Sequence, residues 1–275
     1  ARLTSREGDT FEALLVAGAD GRNSICRQAA GISTRSWRYA QAAVIATFSH
    51  SRPHHGISTE FHRPAGPFTT VPLPGLRSSL VWVERPDEAQ RLAALDDAAF
   101  RDVLEARLMG LLGTVGEVTP RAMFPLSGLT ADTFGQNRVA LVGEAGHVIP
   151  PIGAQGLNLG LRDAATLAEC VAAALAEGRD PGGAVTLEAY STGRRTDVTS
   201  RIATVDVLNR SLVSGLLPVH LARGLGLTAL KAIAPLRRLA IREGLQPSGP
   251  LPALLLPDGA RLIAERARPG RHSAA

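Results

Sequence analysis

The chain has 275 residues, 45% of them apolar, enough to bury a large core as one domain or two. No apolar run reaches membrane-spanning length and no signal-peptide pattern is present, so a cytoplasmic protein is expected. Cys26 and Cys170 lie far apart without metal-ligand spacing, which fits packed thiols in a reducing compartment and no metal, and the net charge of +5 carries no basic run interleaved with aromatics, which argues against nucleic acid.

Residues 2–4, the turn Glu7-Gly8-Asp9 and residues 10–17 read as a β-hairpin leading into a buried strand. A glycine-containing loop, 18–24, follows, and then one or two helical turns over 25–30, with Asp20 or Asn23 as a candidate cap. From Gly31 to Gln136 the pattern changes to antiparallel strands, predicted at 39–48, 58–63, 67–73 and 78–83 and punctuated by Pro53, Gly56, Pro64, Gly66, Pro74 and Gly75. His50, His54 and His55 fall in a proline-containing loop and are expected to be solvated. Phe100, Val103, Leu104, Leu108 and Leu111 predict a helix over 96–112 capped by Asp96 or Asp97. A last strand is predicted over 118–126 and a loop over 129–136.

Residues 138–163 form the stretch around which the chain is organised. Val139 to Val142 form a short apolar run suited to a strand buried on both faces. A loop with Gly143, Gly146, Pro150, Pro151, Gly153 and Gly156 leads into a helix over 157–175. Strand, glycine loop and helix N-terminus bring backbone N–H groups up to an anionic or polar ligand. An ordinary buried strand and core helix would share that spacing, and His147 is read as a structural hydrogen-bonding residue.

Asp180-Pro181-Gly182-Gly183 reads as a turn and residues 184–217 as one long helix or two. Beyond them, Leu221, Leu225, Leu227, Leu230, Ile233, Leu236 and Leu239 against Arg223, Lys231, Arg237, Arg238 and Arg242 make a basic amphipathic stretch. It reads either as a helical cap packed on the domain or as a membrane-surface contact. The tail 246–275, with repeated Pro and Gly, is expected to be loose.

Two motifs carry a resemblance. Gly143, Ala145, His147, Pro151, Gln155, Gly156, Asn158, Gly160 and Asp163 resemble the second flavin-contacting motif of the FAD-dependent aromatic hydroxylases (group A flavoprotein monooxygenases), with Glu144 where that family usually has Asp and Gly146 where it usually has Ala. Gly18-Ala19-Asp20-Gly21, Ser24 and Arg27 resemble its Asp-Gly motif. Trp37, Tyr39, Gln41, Phe61, Pro64, Gly66-Pro67, Pro72-Leu73, Val81-Trp82 and Phe124-Pro125-Leu126 look like the ubiquinone-biosynthesis hydroxylase branch. Leu187, Tyr190, Arg194-Arg195 and Asp197, and the segment 204–210 that ends in Asn209-Arg210, resemble further stretches of the flavin hydroxylase family. Pro150 departs from that branch, which commonly has His there.

The resemblance implies an α/β (α+β) fold: an incomplete Rossmann-like FAD-binding domain (1–35 and 137–178), an inserted antiparallel-sheet substrate domain (36–136), and C-terminal helices (179–245) before the tail. It implies FAD as cofactor and NAD(P)H as reductant, with a (poly)prenylated phenol and O₂ as substrates in ubiquinone biosynthesis. Hydroxylation would run through reduced FAD and a C4a-hydroperoxide. Asp20, Gly21 and Arg27 would lie by the pyrophosphate end, with Gly143 and Glu144 at the ribityl chain. Gly153, Ala154, Gln155, Gly156, Leu157 and Asn158 would present backbone N–H groups to the flavin, and Pro150 and Pro151 would wall its ring. A peripheral inner-membrane contact and a ubiquinone-biosynthesis complex stay open as partners. Two other readings also stay open: an FAD hydroxylase of a soluble aromatic or polyketide, and a non-catalytic fragment or prenyl-binding relative. No G-x-G-x-x-G follows a strand in this sequence, so the resemblance also implies an N-terminally truncated chain that by itself is poorly stable and binds FAD weakly or not at all.

Overall fold

The computed structural model describes residues 1–151, 155–213 and 251–259, together with 224, 226, 228, 229 and 232–238. The chain divides into two compact units. One comprises Ala1–Trp37, Gly128–Asp206 and Gly226–Ala275, and the other Arg38–Ser127 and Val207–Leu225.

In the first unit, β1 (Arg2–Thr4) and β2 (Thr10–Glu12) form an exposed antiparallel hairpin. β3 (Val16–Gly18) leads through the loop to the short helix α1 (Ile25–Ala29). β3 lies parallel to the later strand Val139–Leu141, with Val16 opposite Val139 and Gly18 opposite Leu141. Every residue of that later strand is buried, as its unbroken apolar run requires of a strand covered on both faces. The helices α4 (Gln155–Ala176) and α5 (Ala184–Val213) cover the face of Ala140, and the residues just after α1 cover the other. Leu159, Leu167, Leu187, Tyr190 and Val198 pack with Phe134 and Ala140, while Ala30, Ile32 and Ala145 pack with Val139 and Leu141.

The second unit is built on β4 (Thr34–His50), which enters it at Arg38. β5 (Thr59–Arg63), β6 (Gly66–Leu73) and β7 (Arg77–Glu84) follow as antiparallel neighbours, with β7 against β4. Alternation sorts β4 into two faces. Ala42, Val44 and Phe48 join Phe68, Leu80 and Trp82 under α2 (Pro86–Ala94) and α3 (Asp97–Leu108), which contribute Ala89, Leu92, Phe100, Leu104 and Leu108. On the other face Ala43 clusters with Val83 and Leu126, flanked by Tyr39, Ile45 and Val81.

Several elements differ from the sequence expectation. The helix expected over 96–112 stops at Leu108, because Met109 and Gly110 turn left-handed at φ 50° and 77°. Asp96 is its cap, accepting from the Ala99 N–H at 2.8 Å. α2 precedes it, started by a proline at its first turn, a position that needs no backbone N–H. The single strand expected over 118–126 is two, β8 (Val115–Val118) and β9 (Ala122–Ala131). Pro120 offers no N–H between them, and Arg121 turns its guanidinium to Asp97 at 2.7 Å. The expected loop 129–136 is strand to Ala131, followed by β10 (Gly135–Gln136) on the edge of β11 (Val139–Leu141). The three-stranded order is therefore β10-β11-β3. His50 is not solvated: it ends β4 at 4% exposure, its ring nitrogens 3.0 Å from Ser78 Oγ and 2.8 Å from the Arg52 carbonyl. His54 is tied to the Leu73 carbonyl at 2.9 Å.

Gly153 and Ala154 lie outside the described residues, as do most of the basic amphipathic stretch and of the tail. No described helix is long and apolar enough to cross a membrane.

Candidate functional site

The two sequence motifs stand at the carboxyl ends of neighbouring parallel strands, β3 and β11, the end of an α/β sheet at which ligands collect. The Val142 N–H donates to the Gly18 carbonyl at 2.9 Å, carrying the pairing one step past the strands. Beyond that point Gly143–Ala145 forms a 3₁₀ turn, β12 (His147–Val148) pairs with Thr130 and Leu129, and α4 begins at Gln155.

Asp20 stitches its own loop. It accepts from Ser24 Oγ at 2.6 Å and from the N–H groups of Ile25 and Cys26 at 2.7 and 3.1 Å, while Ser24 caps α1 through the Arg27 N–H. Burial works against its charge, but Ser24 and the backbone donors outweigh burial and hold the carboxyl below the ordinary range. Asp20 is still exposed and Gly21 beside it is half-buried, with open space where a Cβ would stand. Arg27 is 7% exposed and spends its guanidinium on protein: one nitrogen donates to the Ala145 carbonyl at 2.7 Å and another to that of Arg22 at 2.9 Å. Arg27 thus ties the Asp-Gly loop to the turn that follows β11, across 118 positions of sequence.

That turn is fixed from the other side by Asp163. Its Oδ2 accepts from the Gly143 N–H at 2.9 Å and from His147 Nε2 at 2.6 Å. Its Oδ1 accepts from Arg194 Nε at 2.6 Å. Because the carboxylate only accepts, Nε2 is the protonated nitrogen of His147. Burial would raise the Asp163 pKa, but His147 and then Arg194 outweigh it and hold the carboxyl low. The network continues through Asp197, which pairs with Arg194 at 2.9 Å, with Arg162 at 3.0 Å and more distantly with Arg201 at 3.8 Å. Asp163 is wholly buried and Arg162 and Arg194 are nearly so, which makes this a buried cluster of paired ions beside the equally buried His147. Tyr190 donates to the Leu141 carbonyl at 2.6 Å, and burial pushes its phenol pKa up, so it stays a neutral donor.

Gly143 sits at φ 61°, where a side chain is strained, whereas a Cβ on Gly160 would lie 3.5 Å from the Gly143 Cα, an ordinary contact, so the turn rests on α4 and only Gly143 is required by the backbone. Gly146, where the resemblance has Ala, is explained by Phe134: a Cβ there would meet its ring at 2.9 Å.

The outward side of this turn and helix start is open. Glu144, Gly156, Leu157 and Asn158 are exposed, Leu157 at 76%, while Gln155 is half-buried. Glu144 pairs with no group among the described residues. Pro151 is exposed and Pro150 is buried. The structure therefore brings Asp20, Gly21, Gly143, Glu144 and the first turn of α4 to one end of the β3–β11 pair, with Arg27 beneath them as a brace.

These residues fit FAD. Asp20 and Glu144 are exposed acceptors suited to ribityl or ribose hydroxyls, and the start of a 22-residue helix offers a positive dipole end to an electron-rich ring edge. The cluster Asp163–Arg194–Asp197–Arg162 escaped sequence reasoning as a structural device. Its only sequence signals are the adjacent pair Arg162-Asp163 and the spacing of Arg194 and Asp197, neither of which names its partner.

Comparisons with known proteins show the family. Ubiquinone hydroxylase UbiL of Rhodospirillum rubrum is 43% identical over 255 residues, covering 92% of this chain and 59% of that protein. The mitochondrial ubiquinone biosynthesis monooxygenase COQ6 of Homo sapiens is 31% identical over 269 residues, covering 86% of this chain and 58% of its own length. The chain thus spans somewhat over half the length of the curated relatives it matches. Among solved structures, p-nitrophenol 4-monooxygenase PnpA of Pseudomonas putida superposes with a TM-score of 0.70 at 24% identity, over 90% of this chain and 64% of that one, and shares the fold. A family profile described as FAD binding domain matches residues 1–204, most of the chain, and the chain accordingly belongs to that FAD-binding family.

Proposed function

We propose that the protein carrying this chain is a flavin-dependent monooxygenase that hydroxylates a (poly)prenylated phenol in ubiquinone biosynthesis. The observation that carries the reading is the meeting of two flavin-type motifs at the ends of β3 and β11, tied together by Arg27 and Asp163. The 43% identity to a protein named ubiquinone hydroxylase supports the substrate class.

Bound FAD would supply the redox chemistry, taking reducing equivalents from NAD(P)H and activating O₂. The chain's own part is positioning and electrostatics. The N–H groups of the first turn of α4 stabilise negative charge on the ligand edge they face, without reorganising. Gly153 and Ala154, directly upstream, extend that role in the proposal. Glu144 and Asp20 accept from cofactor hydroxyls, Gly21 and Gly143 let the backbone come close, and Arg27 acts from behind as a brace. Exposed Pro151 is the better placed of the two prolines to wall a ring. The sheet residues within 36–136, above all the face with Tyr39, Ala43 and Ile45, supply an apolar wall for the aromatic substrate. The proposal extends to a peripheral contact with the inner membrane, because a polyprenyl chain partitions into lipid and the arginine-bearing stretch 221–242 has the composition for it.

The test is the visible spectrum and NAD(P)H oxidation of the protein purified from its complete reading frame. A yellow protein whose NAD(P)H consumption rises with a prenylated phenol and yields the hydroxylated ring is expected. A yellow protein indifferent to prenylphenols would transfer the reading to soluble aromatics, and a colourless protein that rejects added FAD would overturn it.

A further inference from the structure

One end of the sheet unit holds apolar side chains in water. β4 enters the unit at Arg38 and ends at His50, and three loops close that far end: 51–57 after β4, 74–76 between β6 and β7, and 109–114 after α3. Ile57 and Met109 are 63% and 65% exposed, and Leu76 and Leu111 are exposed as well. Single exposed apolar residues are ordinary, but four on the loops of one end form a patch that calls for a partner.

The three loops are bolted into one platform. The Ser51 and Arg52 N–H groups donate to the Thr114 and Leu112 carbonyls at 3.1 and 3.0 Å, and Ser51 Oγ accepts from the Thr114 N–H at 2.9 Å. His54 attaches the third loop. Its Nδ1 accepts from the Gly56 N–H at 3.0 Å, so Nε2 carries the proton and donates to the Leu73 and Gly75 carbonyls at 2.9 and 3.0 Å. The His50 N–H adds a bond to the Leu76 carbonyl at 3.0 Å. His55 at φ 53° and Met109 at φ 50° are left-handed without being glycine, a conformation that persists only where the surroundings fix it. The fold itself therefore holds these side chains out in water.

The charge of the platform has one sign. Segments 51–57, 73–77 and 109–114 contain no Asp or Glu, but they contain Arg52 and Arg77. Arg52 gives one nitrogen to the Gly110 carbonyl at 2.8 Å, and neither arginine meets a carboxylate among the described residues. Arg63 joins them, its Nη2 4.0 Å from Met109 Sδ. Between the loops lies a cleft of about 290 Å³ lined by Arg52, His54, His55, Ile57, Leu111 and Leu112. Leu112 is buried within it and Arg52 is exposed. The complement of such charge is anionic. The complement of separate apolar tips around a cleft is a fluid apolar phase that closes around each one. A lipid bilayer with anionic headgroups offers both, with the tips at the acyl boundary and the guanidinium groups at the phosphates.

Resting on the monooxygenase reading above, whose substrate is lipid-borne, we infer that this end of the sheet unit is a membrane-contact surface that seats the protein on an anionic bilayer, in addition to any contact through the stretch 221–242.

The test floats the FAD-loaded, full-length protein with vesicles of phosphatidylcholine, or of equal parts phosphatidylcholine and phosphatidylglycerol. The wild type should bind the neutral vesicles at least about tenfold more weakly, since each arginine at an anionic surface contributes about fivefold. Arg52→Gln/Arg77→Gln should weaken binding to the anionic vesicles about twentyfold and leave the neutral ones unchanged. Ile57→Ser/Met109→Asn should weaken binding to both by about tenfold or more. Asn suits position 109 because it tolerates the left-handed backbone. All four positions are exposed, so each variant should oxidise NAD(P)H with a short-chain, water-soluble prenylphenol at the wild-type rate, which shows an intact fold. Loss of vesicle binding in both folded pairs supports the inference. A wild type that binds neither vesicle, or either pair floating as the wild type does, overturns it. If the short-chain phenol still stimulates NAD(P)H oxidation in that case, the monooxygenase reading stands and only the surface falls. If the phenol does not stimulate while both pairs lose vesicle binding, the surface stands and the monooxygenase reading falls.

Discussion

The two units hold themselves together by different physics. The core beside β11 is threaded by ions: Asp163, Arg194 and Arg162, at or near full burial, and the partly buried Asp197, together with His147, join the turn after β11 to α4 and α5. The core of the sheet unit is hydrocarbon and aromatic, Phe48, Phe68, Leu80, Trp82, Phe100 and Leu104, with Phe68 and Trp82 edge to face at 5.1 Å. A greasy core tolerates shape change in proportion to volume lost. A buried ion cluster gives little net stability when whole but collapses when one partner is removed, and in exchange it fixes directions. The unit that holds a backbone turn at a set angle uses ions, and the sheet unit uses packing.

The comparison is tested hardest at Asp163. Asp163→Ala leaves Arg194 buried without its closest acceptor and releases both His147 and the Gly143 N–H, so a loss of about 3–5 kcal/mol is expected. Chemical unfolding checks the stability, and flavin content per folded molecule checks whether the turn has moved. Asp163→Asn keeps the shape and isolates the charge. Because the fold holds this carboxyl low, its contribution is fully present above the unfolded value of about 3.9 and is lost as pH falls through the lower folded value. The wild type's margin over Asp163→Asn should stay level from pH 7 to 5 and shrink below about pH 4. A margin that does not change with pH would mean that the ion cluster is not what holds the turn.

The matching change on the other side is Leu104→Ala, which empties a fully buried position between α3 and the sheet. About 2–5 kcal/mol should be lost, with no pH dependence between 7 and 4 beyond that of the wild type. If Leu104→Ala costs under about 1 kcal/mol, the sheet core is not the packed body described.

How much of this was legible in the sequence follows from the same division. The strands of the sheet unit announce themselves by alternation, because one face is buried under helices: Ala42, Val44 and Phe48 are separable from Ala43 and Ile45 by parity alone. The short helix α2 was not read, since only Ala89 and Leu92 are buried on it and two such residues make no period. The division of 115–131 at Pro120 depends on where Arg121 finds Asp97, a contact across 24 positions. His50 has polar neighbours in sequence, yet its burial depends on Ser78 from β7. At the site, the strand, glycine loop and helix of residues 138–163 were visible as a pattern, and Asp163 as its last member. What Asp163 holds was not visible, because Arg194 comes from another helix 31 residues on. Gln41 and Asn209, hydrogen-bonded at 2.8 Å across 168 positions, are an extreme case of the same limit.

Gly146→Ala sharpens the comparison from within the ionic unit, because here that unit is limited by packing. The added methyl would meet the Phe134 ring at 2.9 Å and Leu141 Cβ at 3.3 Å, and overpacking of this kind costs about 1–3 kcal/mol. Shrinking the ring in Gly146→Ala/Phe134→Leu should recover most of that loss, measured as the coupling between the two changes. Additive losses would place the strain elsewhere.

The smallest effect falls on a single charge-assisted contact in the packed unit. Asp96 accepts from the Ala99 N–H at 2.8 Å and caps α3, whose buried face carries Phe100, Leu104 and Leu108. It is a cap at the surface, so Asp96→Ala should cost about 1 kcal/mol. The exposed pair Glu88–Arg91 on α2, with nitrogen and oxygen 2.7 Å apart, has the shorter contact but both groups in water, and Arg91→Ala should change little by comparison. If the two substitutions cost the same, distance rather than an otherwise orphaned helix donor sets the value of a polar contact here. The larger loss at Asp96 would place that value in the donor that has no other partner, which is the property that Gly143 N–H shares in the ionic unit.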